Sequence, residues 1–170
     1  MIESDYLKGN TGLIQKLRQI PTLGVFDEKD LQGALQLSKI RKYEPGELIL
    51  EQDSYDNWIY FLVSGKVRIV KNGKELSVLR RSGDVFGEMG VIDGSARSAS
   101  AYAIDETVCL VIDASYIDRL SGNDRVAFCY ILFRVFAECL VNRLRLTTEE
   151  LIKAKEEIAR LRSEKDPFCS

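Results

Sequence analysis

The pair Asn72-Gly73 constrains the fold most, because it separates two strand-length segments, Lys66 to Lys71 and Lys74 to Leu79. Both residues tolerate the positive φ that a two-residue hairpin turn demands, so the flanking segments pair antiparallel. Pro45-Gly46 is a second turn signal, with Pro fixing the first central residue of a type II turn and Gly taking the positive φ of the next. Further strand-length segments are Trp58 to Val63, Ser98 to Ala103 and Thr107 to Ile112. In the last, Val108, Leu110 and Ile112 alternate with Cys109 and Val111. Both faces of that strand are apolar, so both are covered.

Helical patterns flank the strands. Residues 12 to 20 predict a short helix with Thr11 as its cap and Leu13, Ile14 and Leu17 on one stripe, ending before Pro21. A second starts at Asp27, with Phe26 and Leu31 as a hydrophobic staple and Leu31, Leu35 and Ile40 facing inward. This order predicts an α+β fold, mainly β: an antiparallel β jelly-roll barrel with N-terminal helices and a long C-terminal helix.

From about Asn123 the pattern stays helical. Phe133, Ala137, Leu140, Leu144, Thr147, Leu151, Ala154, Ile158 and Leu161 alternate spacings of four and three, a heptad repeat. With Ala137, Leu144, Leu151 and Ile158 at a, Glu150 and Glu157 fall at g, and Lys155 and Arg162 at the following e positions. Opposite charges at g and e′ favour a parallel homodimer. The other reading is a helix that lays its seam on its own barrel, and the stripe Phe128, Leu132, Phe136 and Leu140 suits that role. The expected divisions are residues 1–125 for the helices and barrel, 126–162 for the dimer helix and 163–170 for a flexible tail.

Composition narrows the chemistry. The formal net charge of -2 supplies no basic field for nucleic acid, and the absence of histidine removes the commonest metal ligand and general base. Cys109, Cys129, Cys139 and Cys169 form no Cys-x-x-Cys pair, so a zinc site is not expected. Cys109 reads as an inert core thiol, Cys129 and Cys139 as helix-packing residues and Cys169 as exposed. The acidic start lacks a signal-peptide core and no stretch has the length of a membrane span, so a cytoplasmic protein without membrane contact is expected.

One stretch carries chemistry: Phe86-Gly87-Glu88-Met89 through Arg97-Ser98-Ala99. Gly87 lets a ligand approach the backbone, and amides opening a helix after it are free donors for an anion. Arg97 offers a planar fork for two phosphate oxygens, while Glu88, acceptor-only when ionised, suits a sugar hydroxyl. A cyclic nucleotide carries both groups close together. Another reading leaves Arg97 in an ion pair with Glu88 or Asp84, as part of a scaffold that binds nothing.

These residues, in this order, resemble the phosphate-binding cassette of the cyclic-nucleotide-binding domains. The resemblance covers about residues 20 to 150 and implies the jelly-roll fold. It implies that Glu88 holds the ribose 2′-hydroxyl and Arg97 the cyclic phosphate, with the Gly87 to Met89 backbone, Ser98 and Ala99 completing the anion site. Asp53 departs from the family, which usually has Gly there. Arg143 to Glu149 resembles the dimer helix of the bacterial cyclic AMP receptor family, which implies that Thr147 contacts the base in its own subunit and Thr148 the base in the partner. Leu76 and Ser77 resemble that family's barrel contacts to the ligand. After Arg162 too little chain remains for a helix-turn-helix, so no direct DNA binding is expected.

The expected protein is thus a stand-alone regulatory sensor and not an enzyme, with no cofactor. The resemblance implies cyclic AMP (cAMP) as its ligand, with cyclic GMP (cGMP) open because Ser98 sits where a hydroxyl can reach guanine in cyclic-GMP-selective relatives. Its partners are a second copy and an unidentified downstream protein. The alternative is the regulatory part of a transcription regulator that acts through a partner.

Overall fold

The computed structural model describes residues 1–4, 18, 24, 38–115 and 122–165, without the side chains of 124, 127, 164 and 165. The two helices expected before residue 38 and Cys169 lie outside the described residues. Among the described residues the elements are, in order, β1 Ile2–Glu3, β2 Ser38–Tyr43, β3 Leu48–Leu50, β4 Trp58–Ser64, β5 Val67–Lys71, β6 Lys74–Leu79, β7 Val85–Phe86, α1 Glu88–Asp93, β8 Ser100–Ala103, β9 Thr107–Asp113 and α2 Gly122–Lys165. Every strand pairing is antiparallel. The strands form a five-stranded sheet, β1-β2-β9-β4-β7, and a four-stranded sheet, β3-β8-β5-β6, rather than one closed barrel.

The turns behave as their residues require. Asn72 and Gly73 take φ 51° and 75° and bring Lys71 opposite Lys74. Gly46 takes φ 84°, and Glu47 N–H donates to the Glu44 carbonyl at 3.1 Å. Asp53 adopts φ 62°, which its short polar side chain tolerates in place of glycine.

Four strand boundaries differ from the sequence reading; in one, β9 runs on to Asp113, which pairs with Trp58. β8 begins at Ser100 instead of Ser98, because the main chain of Arg97 pairs with the 53–54 loop: Asp53 N–H donates to the Arg97 carbonyl at 2.8 Å, and Arg97 N–H to Ser54 O at 2.9 Å. β5 begins at Val67 because Lys66 N–H donates to Asp105 Oδ1 at 2.7 Å. β4 runs on to Ser64 through a register shift after Leu62. Ile40, expected on a helix, sits in β2 opposite Leu110.

β9 is covered on both sides as its alternation requires. Cys109 and Val111 join Tyr43, Tyr60, Leu62, Val67, Phe86, Ala101 and Ala103 in the core between the sheets, while Leu110 and Ile112, like Ile59 and Phe61 of β4, are buried on the other face. Each such side chain contributes about 1.5–3 kcal/mol by leaving water. Burial also pushes the Cys109 thiol up to about 12, against the pull of Arg41, so it is inert.

Met1–Phe136 and Ala137–Ser170 are two compact units. In the first, α2 buries Phe128, Ile131, Leu132, Val135 and Phe136, but leaves Phe133 60% exposed. In the second, Leu140, Leu144, Leu151, Ile158 and Leu161 are 39–68% exposed. Leu140 thus does not share the burial of Phe128, Leu132 and Phe136. No helix among the described residues is long and apolar enough to cross a membrane.

Candidate functional site

The site forms where β7 delivers the chain into α1. Tyr60 of β4 pairs with Phe86, and their rings stack with centroids 4.9 Å apart. Gly87 follows at φ 80°, ψ 2°, turning the chain into a six-residue helix that Gly94 closes at φ 69°. A Cβ at Gly87 would stand 3.1 Å from Arg97 Nη1, 3.1 Å from the Trp58 carbonyl and 3.2 Å from Tyr60 Cδ2, so the positive φ favours glycine and the tight space adds to the strain of any side chain. Asp93 holds the exit of α1 by accepting from Ser95 N–H at 2.9 Å and Ser95 Oγ at 2.6 Å, bonds that hold its carboxyl below the usual range.

Both cassette charges are buried, Glu88 at 1% and Arg97 at 2% exposure. A buried guanidinium needs partners for its donors. Arg97 Nη1 donates to the Gly87 carbonyl, Nη2 to Asp56 Oδ1 and, at 2.6 Å, to the Trp58 carbonyl, and Nε to Asp56 Oδ2 at 3.3 Å. These bonds engage four of the five guanidinium hydrogens. The ion pair envisaged with Glu88 or Asp84 is therefore corrected to Asp56. Asp84 instead accepts from the amides of Arg80 and Arg81 at 3.0 and 2.9 Å.

Asp56 is the residue that sequence reasoning missed. It lies 41 positions before Arg97, and its one local signal is an Asx contact, Trp58 N–H to Asp56 Oδ1 at 2.9 Å. Tyr60 sits beside this group, and its phenol is pushed up to about 12 by burial and by Asp56, against the pull of Arg41 and Arg97.

The fold brings Gly87, Glu88, Met89, Arg97, Ser98 and Ala99 together. Met89 is 47% exposed, Ser98 is exposed with Oγ 3.8 Å from Met89 Sδ, and Ala99 is buried. Leu76 and Ser77 are exposed on β6, the last strand of the four-stranded sheet. Thr147 and Thr148 are exposed on the helix of the second unit, where Thr148 Oγ1 donates to the Leu144 carbonyl at 2.7 Å. That is the bland arrangement for a helical threonine.

A sequence profile of the cyclic nucleotide-binding domain matches residues 40–124, half of the chain and all of this site up to Ala99. The chain belongs to the cyclic nucleotide-binding domain family. Within it, the chain is similar to the cAMP-dependent protein kinase regulatory subunit of Schizosaccharomyces pombe, 29% identical over 107 residues that make 63% of this chain and 26% of that protein. It is also similar to a cGMP-dependent protein kinase of Toxoplasma gondii, 34% identical over 56% of this chain and 9% of that one. The chain thus spans between about a tenth and about a quarter of these relatives. The catabolite activator protein of Thermus thermophilus shares the fold with a TM-score of 0.62 and 30% identity, over 82% of this chain and 65% of that one. The cyclic nucleotide-binding domain is a regulatory module, and relatives that are kinases match through that domain.

Proposed function

We propose that this chain is a cytoplasmic regulatory module that binds a cyclic nucleotide, cyclic AMP in first place, and signals by moving its long helix. The observation that carries the reading is the cassette itself: Glu88 and Arg97, at 1% and 2% exposure, stand beside Gly87, where any side chain would be strained by the positive φ and crowded by Arg97, Trp58 and Tyr60. Glu88 takes the ribose hydroxyl, and Arg97 takes the phosphate with its remaining Nη1 hydrogen and by exchanging Asp56 for it. Met89, Ser98 and Ala99 complete the anion site, with Leu76 and Ser77 contacting the ligand from the sheet. Thr147 and, from a second copy, Thr148 read the base. Two copies join through the heptad seam, whose Leu144, Leu151 and Ile158 are 68%, 52% and 49% exposed in the single chain. Ligand shifts this helix only through a difference in affinity for its two positions.

A second reading has its own observation. Asp56 already neutralises Arg97, as it would in a scaffold that binds nothing. Similarity to the Thermus thermophilus activator supports a setting as the regulatory part of a larger regulator. Isothermal titration with cyclic AMP, cyclic GMP and a cyclic dinucleotide decides. Saturable binding of a cyclic mononucleotide is expected, and heat from none of them would leave the scaffold reading.

A further inference from the structure

Trp58, the only tryptophan of the chain, is held at three points. Its main-chain N–H donates to Asp56 Oδ1 at 2.9 Å, its carbonyl accepts from Arg97 Nη2 at 2.6 Å, and the guanidinium carbon of Arg41 lies 4.2 Å from its ring centroid. Two arginines therefore meet on one residue, Arg97 on its main chain and Arg41 on its side chain. β9 runs between β2 and β4, so Arg41 reaches across a whole strand to arrive at the indole. Its side chain is only 12% exposed, and Glu3 Oε2 accepts from its Nε.

The two partners of Arg97 Nη2 differ in what a phosphate does to them. The Asp56 carboxylate competes with an incoming anion for the same cation, whereas the Trp58 carbonyl is neutral and can keep its bond while phosphate binds. The carbonyl is thus the partner that sets the guanidinium in place before and after binding. The same residue, Trp58, pairs with Asp113 in the sheet, and its indole lies against Arg41.

We propose that Arg41 is a positioning residue for Arg97, holding the Trp58 ring and through it the carbonyl that orients the phosphate-binding guanidinium. This rests on the reading of Arg97 as the phosphate ligand and adds a residue two strands away to that site. It also makes Trp58 a reporter, because exchange of Asp56 for phosphate releases the main-chain N–H of Trp58 and shifts the indole against Arg41.

The test is isothermal titration with cyclic AMP and cyclic GMP, together with tryptophan emission, on the wild type and on R41M, R41K, W58L and R41M/W58L. R41M is expected to weaken binding about three- to tenfold, the range of a cation over an indole at a part-buried site. R41K, which keeps a cation without the planar stack, is expected to lie between R41M and the wild type. In the W58L background R41M is expected to have no further effect, since Arg41 acts through that ring. Nucleotide is expected to change the emission of the wild type, and to change that of R41M less. Wild-type affinity in R41M, or an equal loss with and without W58L, overturns the proposal while leaving Arg97 as phosphate ligand. If R41M melts below the titration temperature, R41K carries the test, with at least about a twofold loss expected and wild-type affinity overturning it. A wild-type protein that binds neither nucleotide overturns this proposal and the functional reading together.

Discussion

Arg97 is a buried cation with a resident anion, and that fact sets what ligand must do. A phosphate that joins Arg97 has to compete with Asp56, whose side chain is 30% exposed and can turn to water. Ligand at about a hundred times its dissociation constant should stabilise the fold by roughly 2.7 kcal/mol, and Arg97→Ala should remove most of that gain in thermal melts. Asp56→Asn should act in the opposite sense. Without ligand it leaves the guanidinium uncompensated, a loss toward the low end of about 3–5 kcal/mol because Asp56 is part exposed, and the nucleotide phosphate then restores the missing charge. The ligand-induced rise in melting temperature should therefore exceed that of the wild type, and an equal or smaller rise would show that Asp56 does not compete with ligand. Glu88, Arg97 and Gly87 were legible in the sequence because they lie within eleven residues of each other and their chemistries differ. Asp56, Trp58 and Arg41 were not, because pairing of Arg97 with the 53–54 loop brings the first two to it and the sheet brings Arg41 to Trp58, and no spacing in the chain encodes either.

At the level of elements, what could be read followed the strength of local signals. The hairpin at Asn72-Gly73 and the alternation in β9 each specify themselves, and β6 spans Lys74–Leu79 as read. β2 was hidden because its inward-facing positions include Lys39 and Arg41, which are satisfied by Glu3 of β1 with Lys39 Nζ at 2.6 Å from Glu3 Oε1. A charge paired across strands looks like a solvated face until its partner is known. The lowered carboxyl of Glu3, caused first by its bond to Lys39, is the electrostatic sign of that pairing. For α2 the heptad spacing was legible, and Leu151 and Ile158 on that seam are 52% and 49% exposed. Replacing Leu151 with Glu places like charges face to face at an a position, and should give a monomer by analytical ultracentrifugation with the sheets still folded. A wild type that is already monomeric at tens of micromolar would remove the dimer from the proposed function, and the partner's Thr148 with it.

At the scale of the whole molecule the question is which base the proposed dimer selects, and Thr147 and Thr148 separate a two-subunit reader from a single-domain one. In the single chain Thr148 spends its hydroxyl hydrogen on the Leu144 carbonyl, so base recognition must either use the oxygen's remaining acceptor capacity or break that bond. Adenine presents an exocyclic amine, which suits the acceptor, whereas guanine presents a carbonyl at the same place and would need the hydrogen that Leu144 holds. A hydroxyl already committed as donor therefore favours cyclic AMP over cyclic GMP. Each such bond is worth about 0.5–1.5 kcal/mol net, so losing one costs several-fold in affinity. The preference for cyclic AMP should shrink in Thr147→Val and in Thr148→Ala, and the Thr148 effect should vanish once Leu151→Glu has separated the copies. Affinities measured by titration that rank cyclic GMP first, or a Thr148→Ala effect of equal size in dimer and monomer, would place base selection elsewhere, with the exposed Ser98 hydroxyl beside Met89 as the next group to test.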